Sequence, residues 1–243
     1  MKYDLHIHSC LSPCGDADMT PNNIAGMAML SGIEIVALTD HNTTLNCPAF
    51  FKACEKLGVV PIGGMELTTA EDIHMVCLFP NLESAMSFGE FVAGHRMKIK
   101  NRVDIFGEQT ILDENDDVIG QVEDLLVAGT DLDISTAFDE VIERGGAALP
   151  AHIDKQSNGL IAILGDFPPE PIFGSAEFHD PDKQEEYLKK YRVLEGMHLL
   201  RCSDAHYLDM MLTDPDDIPV EKGEFDDDTV RKLVIKYLRG EKL

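Results

Sequence analysis

Residues 33–41 read Ile33-Glu34-Ile35-Val36-Ala37-Leu38-Thr39-Asp40-His41, and this stretch decides the fold class. Apart from Glu34, its first six residues are apolar. Such a run predicts a strand buried on both faces, as in a parallel sheet. Its flanks predict helices. Upstream, Thr20-Pro21 opens a helix over residues 20–30, with Thr20 as N-cap and Pro21 at the first position, and Ser31-Gly32 ends it. Downstream, residues 47–57 read as a helix stopped by Gly58, and residues 59–62 as the next strand. This alternation predicts an α/β fold with parallel strands and right-handed crossovers.

The pattern extends to both ends of the chain. Residues 3–7, 73–79, 147–149, 175–178 and 199–202 read as further strands, and 82–98, 135–144 and 227–238 as helices. One segment breaks the alternation. Residues 107–121 read as a β-hairpin with an acidic turn at 113–117, an excursion from the main domain that is either a solvated hairpin or a lid or dimer contact.

Composition narrows the function. With 44% hydrophobic residues among 243, the chain can build a sizeable core. Its formal charge is −24, from 44 acidic against 20 basic residues, and it has no Trp. Both features argue against nucleic acid as a partner: a polyanion is repelled, and bases find few aromatic platforms. Small anionic substrates stay open, because bound cations can invert the local field. The six cysteines form no CxxC pair, and the opening MKYDLHIHS has no basic region followed by an apolar run. Reduced thiols and a cytoplasmic location are therefore expected, with no membrane segment.

The chemistry is carried by residues at the ends of predicted strands. His6 and His8 end the first strand, His41 follows the second, Glu66 the third, His152 the strand at 147–149, and Asp204 and His206 the last. His74 instead opens its apolar run. In a parallel sheet or barrel, the carboxyl ends of the strands converge on one face, so ligands spread from residue 6 to residue 206 can meet. Residues two apart share a face of a strand, which lets His6 and His8, or Asp204 and His206, point at one ion. Imidazole mixed with carboxylate suits Mn, Zn or Fe rather than Ca or Mg. Asp40 reads as a hydrogen-bonding partner rather than a ligand. His95, His179 and His198 lie outside the pattern, and Arg201 reads as structural.

These strings are also familiar. Asp4-Leu5-His6-Ile7-His8-Ser9, Thr39-Asp40-His41-Asn42, Gly64-Met65-Glu66 and Ser203-Asp204-Ala205-His206, with Thr20-Pro21 and Pro150-Ala151-His152, resemble the motifs of the PHP (polymerase and histidinol phosphatase) superfamily. The resemblance implies a distorted (β/α)7 TIM-like barrel over residues 1–243 with the hairpin as an excursion. It implies two or three divalent metal ions. His6, His8, Glu66 and Asp204 would hold one. Glu66 would bridge to a second on His74 and His152. His41 and His206 would hold a third with a residue of the loop after the first strand, for which Asp16 is chosen over Asp18. A hydroxide bridging the metals would attack phosphorus without a protein nucleophile. Asp204 and His206 would assist proton transfer, and Lys155, three residues after His152, is placed to meet a substrate phosphate.

The expected activity is hydrolysis of a small phosphorylated metabolite: a phosphomonoester, a nucleotide or a histidinol-phosphate-like compound. The alternatives are a nuclease-like phosphodiesterase, a non-catalytic metal-binding module, and an amidohydrolase-type enzyme, since a metal-activated hydroxide also attacks carbonyls.

Overall fold

The structure, a computed structural model, describes residues 1–221, 223 and 225–243. The expected strands form, and they form a ring. β1 (Tyr3–Asp4), β2 (Ile35–Leu38) and β3 (Val60–Thr68) pair in parallel, and β4 (His74–Phe79) returns antiparallel to β3. The hairpin strands β5 (Thr110–Leu112) and β6 (Val118–Gln121) stand apart as their own two-stranded sheet. β7 (Ala147–Pro150) pairs antiparallel with β4, and β8 (Ser175–Phe178) pairs in parallel with β9 (His198–Arg201). Two links join the sheets. Ile7 bridges Ala205 in parallel, and the Ile153 amide donates to the Glu177 carbonyl at 2.9 Å. The order β1-β2-β3-β4-β7-β8-β9 thus closes on itself as a distorted seven-stranded barrel.

The expectation of uniformly parallel strands fails at β4. Only residues 69–73 separate β3 from β4, too few for a crossover, so the chain can only turn back. The reversal explains why one candidate ligand, His74, opens a strand rather than following one. An antiparallel β4 brings its first residue, His74, to the end of the barrel where the parallel strands finish.

β3 is also longer than the residues 59–62 expected. It runs through Gly63 and Gly64 to Thr68, so Glu66 lies inside the strand rather than after it. The glycines serve close packing. A Cβ at Gly64 would stand 2.6 Å from the Cys77 carbonyl oxygen, and one at Gly63 would stand 2.9 Å from the Ala85 Cβ.

Strand alternation sorts the core into an inside and an outside. Ile35, Ala37, Val60, Ile62, Val76, Leu78, Ala147 and Leu149 face the barrel interior. Val36 and Leu38 face helices α1 (Pro21–Leu30) and α2 (Cys47–Leu57). Met65, Leu67, Met75, Cys77 and Phe79 pack outward against α3 (Leu82–His95), which ends three residues before the expected 98. After the single turn α4 (Val103–Phe106) and the hairpin, α5 (Ile134–Glu143) adds Ile134, Ala137 and Val141 to the same outer cluster. Two short helices follow, α6 (Leu160–Leu164) and α7 (Gln184–Lys190).

The last helix, α8 (Asp227–Leu238), closes one mouth of the barrel. Its Val230, Val234, Ile235 and Leu238 join the interior cluster. The Leu238 carbonyl accepts from the Ser175 hydroxyl at the start of β8, and the Arg239 guanidinium donates to the Gly146 carbonyl just before β7. α8 therefore covers the end where the parallel strands begin and leaves the opposite end free. No helix among the described residues is long and apolar enough to cross a membrane.

Candidate metal centre

At the free end, seven side chains from five parts of the chain gather around Glu66. The Glu66 Oε1 lies 2.7 Å from His74 Nδ1 and 3.0 Å from His152 Nε2. Its Oε2 lies 3.1 Å from His41 Nδ1, 3.2 Å from His8 Nε2 and 3.4 Å from His6 Nε2. Asp204 Oδ1 stands 3.4 Å from His6 Nε2 and 3.3 Å from His8 Nε2. The His206 ring stacks on His8 with centroids 4.3 Å apart.

Hydrogen bonds, buried at His6 and His8 and partly buried at His206, aim these rings. His6 Nδ1 meets the Glu177 carboxylate at 2.8 Å, and His8 Nδ1 meets the Ser12 hydroxyl at 3.1 Å. His206 Nδ1 meets the Asp204 carbonyl at 2.8 Å. With Nδ1 as donor in His6 and His8, each Nε2 faces the cluster, where the two nitrogens are 3.2 Å apart. Asp40 takes the structural role expected of it. Its carboxylate accepts from the Ser9 amide, the Ser9 hydroxyl and the Ser12 hydroxyl, each at 2.7 Å. The site also stores backbone strain, since Asn42, His152 and Asp204 all have positive φ.

The electrostatics suit a cation. Burial lowers the pKa of His6 and His8, but carboxylates outweigh it. Glu177, Glu66 and Asp204 push His6 well above its usual value, and Asp204 with Glu66 brings His8 to about 9. Burial raises Glu66, yet His74, His6 and His41 hold it well below the carboxylate range. His41 is lowered by burial and by His8, His74 and His206 despite Glu66, and His206 falls to about 4 through burial and His8. Ionised oxygens and imidazole nitrogens this close need positive charge between them, which protons on His6 and His8 supply and a metal ion can replace. The buried His152 Nδ1 has no hydrogen-bond partner, and the buried His41 Nδ1 has the Glu66 carboxylate beside it without a hydrogen bond. The donor set therefore fits metal ions.

Three groups of donors, each with its atoms within 4.8 Å of one another, can hold a metal: His6, His8, Glu66 and Asp204; His41, Glu66 and His74; and His8, His41 and His206. The first matches the set that the sequence resemblance implies for one ion. The second places His41 beside Glu66 and His74 where His152 was expected, although His152 also touches Glu66. Asp16, chosen as the loop ligand, belongs to none of them. Its Oδ1 accepts the Asp18 amide at 2.9 Å in a tight local turn, and the rival Asp18 is exposed. The loop residue that lines the site cavity is Cys14.

That cavity, of about 360 Å³, is lined by Cys14, His41, Glu66, His74, His152 and Lys155, together with Asp204 and His206. Lys155 Nζ reaches Asp204 Oδ2 at 2.6 Å. His95, His179 and His198 lie elsewhere, and Arg201 pairs with Asp216. Glu177 escaped the sequence reading. It sits in the middle of an ordinary apolar strand, Ser175–Phe178, and only an inward-facing carboxylate at its third position could have given it away.

An α/β barrel with a cluster of imidazoles and carboxylates at its open end defines a class of protein that can hold several metals in one cleft. The sequence pattern of the PHP domain matches residues 4–239, and the chain belongs to that family. It is 34% identical over 80 residues to a 5'-3' exoribonuclease of Haemophilus influenzae, covering 32% of this chain and 28% of that protein. It is 37% identical over 68 residues to a phosphoribosyl 1,2-cyclic phosphate 1,2-diphosphodiesterase of Eggerthella lenta, covering 28% and 25%. The matched stretch spans about half or less of such curated relatives, reaching 52% in an uncharacterized protein of Methanocaldococcus jannaschii that is 38% identical over 89 residues, or 33% of this chain. Two solved structures share the fold. The lesion-specific endonuclease Q of Pyrococcus furiosus has a TM-score of 0.59 at 21% identity, covering 85% of this chain and 48% of that one. A protein of Bifidobacterium adolescentis, provisionally described as a metal-dependent phosphoesterase, has a TM-score of 0.58 at 21% identity, covering 99% and 97%. With enzymes of nucleic acid among these proteins, the expectation against a nucleic-acid partner rests on charge and composition alone.

Proposed function

We propose that the chain is a metal-dependent phosphoesterase acting on a small phosphorylated metabolite. The observation that carries this reading is the Glu66-centred cluster, with five imidazoles within 3.4 Å of one carboxylate, at the floor of an open cavity. Membership of the PHP domain family supports it. Divalent ions held there, whether Mn, Zn or Fe, would supply Lewis acidity for a phosphoryl oxygen and for water. His6, His8, Glu66, Asp204, His41, His74, His152 and His206 would hold them, in two or three positions.

The remaining residues orient and neutralise. Asp204 stays ionised, because His6 and His8 outweigh the burial that would raise its pKa. It suits a ligand or a proton acceptor rather than a proton donor. Lys155 is the one lysine or arginine among the described residues lining the cavity, and a phosphate there would compete with Asp204 for its ammonium. The cavity size and the net charge of −24 favour a small anion over a polymer.

The relatives that act on nucleic acid keep a phosphodiester of DNA or RNA as the second reading. One experiment separates the two. The purified protein, loaded with Mn, Zn or Fe(II), is offered phosphomonoesters, small phosphodiesters and single-stranded oligonucleotides. Turnover confined to small esters is expected. Efficient cleavage of oligonucleotides replaces the substrate class. Full metal occupancy without turnover points to a non-catalytic module.

A further inference from the structure

Arg96 stands apart from the other arginines. Five of the seven, Arg102, Arg144, Arg201, Arg231 and Arg239, donate to a carboxylate or a backbone carbonyl. Arg192 is exposed to water. Arg96 is partly buried, and its side chain has neither a hydrogen bond nor an ion pair among the described residues. Its Nε and Nη1 are shut off from solvent without a partner, which leaves Nη2 as the open corner of the guanidinium. The backbone fixes the residue at the end of α3. Its amide donates to the Val92 carbonyl at 3.0 Å, and the next amide, of Met97, donates to the Gly129 carbonyl at 3.1 Å. Asp124, whose carboxylate favours the Arg96 charge, is itself paired with Lys98 at 3.3 Å. A guanidinium keeps its proton, so burial here leaves a charge that the protein does not balance.

Arg96 lines a cavity of about 570 Å³ between α3 and the loop that follows β2, and this cavity shares no lining residue with the metal centre. Its size suits a small metabolite. Thr44 lies on its wall. That residue is only 2% exposed, yet its hydroxyl has no hydrogen-bond partner among the described residues. Gly89 lets it approach the helix, since a Cβ there would stand 2.1 Å from Thr44 Oγ1. Leu45 and Met86 supply apolar wall, and Glu83 and Glu90 stand exposed at the rim. We propose that this cavity is a second binding site, for a small organic carboxylate whose head pairs with Arg96 Nη2 and whose body lies against Thr44, Leu45 and Met86. The Thr44 hydroxyl is free to donate to an oxygen of the same molecule. A single negative charge balances the guanidinium. A second would face the two rim glutamates and the net charge of −24. The site therefore differs in chemistry from the metal centre, and it stands whether or not that centre hydrolyses phosphoesters.

Titration of the ¹⁵N-labelled full chain with butyrate, followed by nuclear magnetic resonance, tests this without relying on turnover. The Arg96 Nε–Hε signal and the amide signals of Thr44 and Leu45 are expected to move together. Neutral butyramide should bind at least about 10-fold more weakly, because it lacks the charge that the guanidinium meets. Arg96→Gln should lose the response, and Arg96→Lys, which keeps the charge, should retain part of it. Chelation of metals should leave the butyrate affinity unchanged. Signals at Arg96 and Thr44 that do not move with butyrate overturn the proposal, and this arm decides even where a variant fails to fold. Butyramide binding as tightly as butyrate, a response that survives in Arg96→Gln, or binding abolished by chelation overturns it as well. Inorganic phosphate binding at Arg96 as tightly as butyrate overturns the assigned ligand class.

Discussion

Glu66 and Asp204 gather donors from the whole length of the chain, and single substitutions there have sharp expected outcomes. Removing one donor by His8→Ala or Asp204→Ala takes a ligand from the four-donor group. We expect metal content to fall and phosphoester hydrolysis to drop by more than about 100-fold, checked by elemental analysis beside phosphate release. Glu177→Gln is subtler. The amide keeps the volume but removes the charged partner of His6 Nδ1. It should weaken metal binding by about 10- to 100-fold while the fold persists, measured by competition with a chelator and by circular dichroism. The residues that cluster at the open end were legible in the sequence because imidazole and carboxylate at strand ends are chemically conspicuous. Glu177 was not, since support from below leaves no spacing signature. Asp16 instead accepts the Asp18 amide in its own turn, and the chain gives no local sign of whether an acidic loop residue will close a turn or face the cluster.

At the scale of the element, packing decided what periodicity could not. Gly63-Gly64 reads as the end of a strand, yet both glycines lie within β3 because neighbouring atoms leave no room for a Cβ. Gly64→Ala should therefore cost about 1–3 kcal/mol, seen in chemical denaturation, and should loosen the register that sets Glu66 opposite Val76. Normal stability in that variant would show that the strands can part without penalty. Helix starts were easier to read, because caps are local. Thr20 caps α1 as expected, accepting the Asn23 amide. Asp133 caps α5 through the Thr136 amide at 2.7 Å, which holds its carboxyl below the ordinary value. Asp133→Ala should cost about 1 kcal/mol. Since the folded-state pKa is depressed, the cap contributes fully above about pH 4 and fades as pH falls through the folded value. The difference between wild type and Asp133→Ala should shrink accordingly in acid.

Across the whole molecule, the barrel divides its labour between two ends. α8 seals one with apolar side chains, and the other gathers buried ionisable groups at the floor of a cavity. The hairpin is not a free flap. Asp116 accepts the Thr20 hydroxyl at 2.6 Å, and Asn46 joins the Ser9 hydroxyl to the Thr110 carbonyl and the Leu112 amide. The barrel class was legible because strands and helices alternate. The direction of β4 was not, because a strand pattern has no arrow: only the shortness of the connection after Thr68 betrays it. That reversal also bears on the order of assembly. β3 and β4 zip together six residue pairs around a five-residue connection, so the entropy lost in joining them is small, whereas Asp204 must be recruited from far along the chain. Pulse-labelling hydrogen exchange should find the amides of β3 and β4 protected first during refolding. The nascent polypeptide would then hold Glu66 and His74 side by side, as a two-toothed clasp, before the barrel around them has closed.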